Sequence, residues 1–184
     1  MGYLLLILGL VLFAGGHWVK RLAPDFRANL GDPKGRLILT LAMLAGVVLM
    51  IIGYRAAPVV QIWSPPAFFT HINNLLVLIA FWLFALSHMS GTLSARIRHK
   101  QLSAIKAWAI AHLLVNGDLA SIILFGGMLA WAVASVIIIN RQGRNWVRPA
   151  NPSIVKDVLA FVIGIIVMGI VGYIHTLLGY FPYG

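Results

Sequence analysis

Residues 107–140 form a run of 34 positions with one charged side chain, Asp118. A run this long and apolar needs a hydrocarbon environment, and as one straight helix of 1.5 Å per residue it would reach about 50 Å. A bilayer core is only about 30 Å thick, so the run has to break. Asn116-Gly117-Asp118 is the natural place, because Gly and Asx residues favour turns and caps over helix interiors. Asp118 is expected to cap a second helix starting at Leu119, where its negative charge meets the positive end of the helix dipole.

Four more apolar segments, 1–19, 37–54, 70–89 and 153–178, approach the length of a membrane span. With 61% of its residues hydrophobic and 10% charged, the chain reads as one integral membrane domain over 1–184. The expected fold class is all-α: a polytopic transmembrane helical bundle of five to six spans, one of them broken or re-entrant near Asn116–Asp118. No polar stretch is long enough for a soluble catalytic domain. The first segment has no basic residue before its apolar core and Lys20-Arg21 after it, the reverse of a secretory signal, so it reads as an uncleaved anchor with its N-terminus outside.

The chain holds fourteen Lys and Arg against four Asp, with no Glu. In a soluble protein that balance would suggest nucleic acid. Here the basic residues sit in short loops, five in 20–36, one in 54–69, four in 91–106 and four in 141–156. That distribution is a topology signal and a contact with anionic lipid, and no nucleic-acid module accompanies it. Two crossings between Gly91 and Arg141, or a half-helix and its return, place all three strongly basic segments on the cytoplasmic side. Both termini then lie outside.

Cysteine is absent, which excludes disulfides, thiolate nucleophiles, iron–sulfur clusters, Cys-type zinc sites and covalent haem attachment. Any metal would rest mainly on the six histidines. Under the expected topology His17, His88, His99 and His112 lie toward the cytoplasmic side, and His71 and His175 toward the outside. His17 is three residues from Lys20 and His112 six from Lys106, which gives the two a similar expected depth. Two imidazoles facing each other in a helical bundle can hold a b-type haem, one on each side of the iron. They fall short of a closed zinc site. Trp18, Trp108, Phe125 and Met89 would suit a flat macrocycle. The plainer possibility is a histidine bonded to a carbonyl or reaching for headgroups. His99 sits in Arg96-Ile-Arg98-His99-Lys100, a charge run that suits a solvated or phosphate-facing loop. Asp118 reads as a helix cap first and a proton-transfer group second. No serine–histidine–acid set, paired carboxylates, phosphate loop or nucleotide-binding glycine pattern is present.

Ala111-His112-Leu113-Leu114, then Asn116-Gly117-Asp118, Ser121 and Leu124-Phe125-Gly126, resemble the signature of the NnrU family, and Gly16-His17 resembles its first span. NnrU proteins are bacterial membrane proteins associated with nitrite and nitric oxide respiration. The plastid zeta-carotene isomerases are similar to them and carry a b-type haem with two axial histidines. The resemblance implies a multi-pass protein of the bacterial inner membrane, with haem b held by His17 and His112. Arg98 and His99 would touch its propionates, and Asn116 and Asp118 would support the site. It also implies a gaseous or small lipophilic ligand, a redox or nitric-oxide-sensing role, and a haem-dependent cis–trans isomerase as the enzymatic alternative. Two departures weaken the isomerase reading: Lys100 stands where the isomerases have proline after Arg-His, and Ala109 where they have cysteine. A cofactor-free structural membrane protein is the third possibility.

Overall fold

The computed structural model describes residues 1–143 and 145–183, and so leaves out Arg144 of the basic 141–156 segment. Seven helices follow in order: α1 (Gly2–Leu22), α2 (Pro24–Asn29), α3 (Lys34–Ala56), α4 (Phe69–Leu86), α5 (Lys100–Val115), α6 (Leu119–Arg141) and α7 (Ile154–Leu177). The described residues contain no β-strand, only an isolated bridge between Gln61 and Asp118. Five helices, α1, α3, α4, α6 and α7, are long and apolar enough to cross a membrane. Their large apolar side chains stay exposed along whole faces, as Leu41, Leu44, Val48 and Ile51 do on α3, and Val158, Val162, Ile166 and Ile170 on α7. Faces of that kind are stable against lipid and not against water. The chain is a multi-pass, all-helical membrane protein.

Two compact units divide the chain. The first comprises Met1–Ser64 and Gly117–Trp131; the second comprises Pro65–Asn116 and Ala132–Gly184.

In the first unit α1 and α3 pack antiparallel over glycine. Gly2, Gly9 and Gly16 recur every seven residues on α1, and Gly46 and Gly53 do so on α3, about two turns each. A Cβ on Gly9 would sit 2.6 Å from the Gly46 carbonyl oxygen, and one on Gly46 would sit 2.8 Å from the Gly9 oxygen. Each backbone therefore uses the space the other lacks a side chain to fill, as small residues do between membrane helices. The first part of α6 runs beside α1, with Gly127 against Leu10 and Trp131 against Phe13.

In the second unit α4 packs against both α5 and α7. The segment after α4 is fastened at one end of this unit. Ser153 N–H donates to Ser90 O (3.1 Å), Leu93 N–H to the Asp157 carboxylate (2.9 Å), and His99 Nε2 lies 2.9 Å from Asn140 Oδ1. The opposite end gathers the start of α4, the end of α5 and the end of α7. There Asn73 Nδ2 donates to Ala111 O (3.1 Å), and Asn74 Nδ2 donates to Tyr183 O (3.3 Å).

The break expected in 107–140 is present: α5 ends at Val115 and α6 begins at Leu119. The helix before it is longer than expected, since α5 starts at Lys100. Its 16 residues give about 24 Å, short of a full bilayer core.

Candidate functional site

Three sets of residues carry chemistry: the polar island at the helix break, the surroundings of His17, and those of His112.

The island is a double cap. Asn116 closes α5, with its backbone N–H (2.9 Å) and Nδ2 (2.8 Å) both donating to His112 O. Asp118 opens α6, accepting the Ser121 N–H at Oδ1 (2.9 Å) and the Ser121 hydroxyl at Oδ2 (2.6 Å). This is the cap expected from the sequence, with one addition: Tyr54 OH lies 2.9 Å from Ser121 Oγ and extends the network to α3. Gly117 stands between the caps, where its carbonyl accepts from Ile62 N–H (2.8 Å) and Trp63 N–H (3.1 Å), while Leu119 N–H donates to Val60 O (2.9 Å). Any Cβ at Gly117 would collide with the Trp63 carbonyl. Backbone groups near hydrocarbon need partners of this kind.

His17 lies near the end of α1, and its Nδ1 is 2.8 Å from the Phe13 carbonyl. A nitrogen facing a carbonyl carries the proton, so the lone pair sits on Nε2, the arrangement that orients metal-bound histidines. The ring is wedged between Phe13 (centroids 4.3 Å apart) and the edge of Trp131 (5.0 Å). Trp131 is the indole on this imidazole; its Nε1 is buried without a hydrogen-bond partner among the described residues. Beside His17 opens a cleft of about 480 Å³ lined by Gly16, Lys20, Arg27, Arg36, Leu39 and Met43, with Asp32 and Thr40 at its rim. Arg27 and Arg36 both reach the Asp32 carboxylate, Arg36 at 3.4 Å. The hydrogen bond from Arg27 is the main cause holding the Asp32 carboxyl below its ordinary value.

His112 is half-buried, three residues before the end of α5, with Nδ1 2.9 Å from Trp108 O. Its lone pair is again on Nε2. The sequence placed His112 with His88 and His99, and the structure does not. His99 opens α5 and pairs with Asn140, whereas His112 lies thirteen residues further on, about 20 Å along the helix, at the end with Asn73 and Ala111. The depth inferred from Lys106 fails because the helix begins six residues earlier. His175 occupies this same end, with Nδ1 2.8 Å from Val171 O.

The remaining expected site residues are engaged elsewhere. His99 meets Asn140, and Arg98 lies in the turn just before α5. Phe125 packs against Tyr54, and His88 against Phe84. Asp118 is one carboxylate inside an apolar segment. Asp157, in the first turn of α7, is a second: it is 7% exposed, takes one bond from Leu93 N–H, and its Oδ1 has no partner among the described residues. Its place within the last apolar segment was the available signal.

Among the described residues no three His, Asp or Glu side chains converge on a metal position. A haem asks for less, one or two imidazoles presenting Nε2 beside apolar walls and cations for its propionates. His17 and His112 each have the fixed tautomer this needs and aromatic neighbours, Phe13 and Trp131 at the one and Trp108 at the other. The donor set fits.

The family model described as NnrU protein matches residues 5–182. No curated protein and no solved structure matches the chain.

Proposed function

The chain belongs to the NnrU family, and from that premise we propose that it is a membrane haem b protein with His112 as an axial ligand. The carrying observation is the fixed Nδ1 of this half-buried ring, which leaves Nε2 as the coordinating atom. His17 enters as the second ligand through the family resemblance and its own Nδ1 bond to Phe13 O. A specific observation favours a second pairing: His175 shares the end of the second unit with His112 and is fixed in the same way.

When bound, a haem supplies an iron that takes up an electron or a gaseous ligand. The protein's part is to orient the imidazoles through carbonyls one helical turn back, and to keep water from the ring faces with Phe13, Trp131 and Trp108. Arg98 and His99 stand about 20 Å along α5 from His112, beyond the reach of a propionate on iron bound there, and are not proposed as contacts. Asn116 holds the His112 carbonyl at the end of α5, and Asp118 caps α6. Placement in the bacterial inner membrane and a role in nitrite and nitric oxide metabolism, as a redox or nitric oxide sensor, belong to the same proposal.

Protein purified in detergent after haem-replete expression tests it. A Soret band lost in His112→Ala supports the proposal; a colourless wild type defeats it. Loss in His17→Ala but not in His175→Ala selects the family pairing, and the reverse selects the pairing within the second unit.

A further inference from the structure

The cleft beside His17 has an ordered polarity that neither the helix break nor the proposed haem ligation accounts for. Lys20 in the last turn of α1, Arg27 on α2 and Arg36 in the first turn of α3 line it with Gly16, one turn before Lys20, and with Leu39 and Met43, one and two turns after Arg36. The level is set by the helices themselves. The apolar span of α1 closes with Lys20 and Arg21 in its last turn, and α3 opens with Lys34. Basic residues at span ends mark the headgroup region of a bilayer.

Charge in the cleft does not cancel. Three cations face one carboxylate, Asp32, which takes both guanidiniums and so holds them in place instead of neutralising them. The Arg27 side chain is 17% exposed and Arg36 is 76% exposed, so one guanidinium forms the floor and the other the rim. Two fixed guanidiniums and an ammonium suit a phosphate, which takes planar two-point contacts from arginine. The neighbouring α2 carries exposed Phe26, and Leu22 before it is exposed too, so this corner also offers apolar side chains at the same level. Short segments with that pairing of cations and exposed apolar residues lie in the membrane interface.

We propose that this cleft is a binding site for one anionic phospholipid, its phosphate held by Lys20, Arg27 and Arg36 and an acyl chain laid over Leu39 and Met43. The occupant is a membrane lipid and not a free anion, because Leu39 and Met43 line the cleft beside the cations, on a helix whose Leu37, Leu41 and Leu44 are exposed to lipid.

The test uses the full chain in detergent, with phosphatidylglycerol, phosphatidylcholine and inorganic phosphate as probes, read by native mass spectrometry and thermal unfolding. Wild type should retain one phosphatidylglycerol and be stabilised by it, with no effect from phosphatidylcholine or phosphate. The double variant Lys20→Gln/Arg36→Gln, which spares the less exposed Arg27, should bind phosphatidylglycerol about tenfold more weakly. Arg148→Gln, a basic residue in the other unit, should behave as wild type. Equal retention of both lipids, equal stabilisation by phosphate, or unchanged binding in the double variant would each overturn the proposal. So would loss of haem in that variant with phosphatidylglycerol binding intact, which would give the cleft to the macrocycle.

Discussion

Asp118 accepts two hydrogen bonds from Ser121, one from the backbone N–H and one from the hydroxyl, and so closes the first turn of α6 at both oxygens. The one charge in a 34-residue apolar run is therefore used to start a helix. Asp118→Ala should lower stability by about 1–2 kcal/mol, the usual cost of a lost cap. Asp118→Asn, which keeps an acceptor, should cost less. Thermal unfolding in detergent reads both. The cap role also predicts unchanged haem content per folded molecule, and a haem-free but fully stable Asp118→Asn protein would show that the carboxylate serves the cofactor instead.

The glycine seam between α1 and α3 yields a sharper contrast. Gly9→Leu places side-chain atoms where the Gly46 carbonyl and the Met50 backbone already stand, and the helices must separate. Overpacking of this kind costs about 1–3 kcal/mol, more when backbone faces backbone. Gly15, six residues further along α1, has open space around it. Gly15→Ala should be neutral or slightly stabilising, since alanine is favoured over glycine inside a helix. Equal unfolding temperatures for the two variants would contradict the seam.

Asp157 ties the start of α7 to the segment after α4. Removing its side chain in Asp157→Ala leaves the part-buried Leu93 N–H without its acceptor, a loss of about 1–3 kcal/mol. Asp157→Asn retains that acceptor and should fall within about 1 kcal/mol of wild type. Gly91→Ala should behave like the alanine variant, because its Cβ would displace the carboxylate. Hydrogen exchange at residues 90–97 gives a local readout; protection there unchanged in Asp157→Ala would refute the tie.

Much of the architecture was legible in the chain. Apolar length gave the spans, and Asn116-Gly117-Asp118 gave the break and its cap, because turn chemistry and the cost of a buried charge act locally. The start of α5 was not legible: Lys100 and Lys106 read as loop, yet Lys100 donates to Ser94 O (3.0 Å) and begins the helix. That misplaced boundary put His112 at the wrong end of its unit. The indole against His17 was also out of reach, since pairing Trp131 with a ring 114 residues earlier depends on how helices pack. The seven-residue recurrence of Gly2, Gly9 and Gly16 was on the page and was the missed signal for the α1–α3 seam.

The proposed haem site rests on coordination of the iron by His112 Nε2. Its most direct measurement is the absorption spectrum of purified His112→Ala beside wild type and His99→Ala, all from haem-replete cells and matched for folded protein. The account predicts a Soret band in wild type and His99→Ala that is lost or shifted in His112→Ala. An identical spectrum in His112→Ala, or no Soret band in wild type, would contradict it.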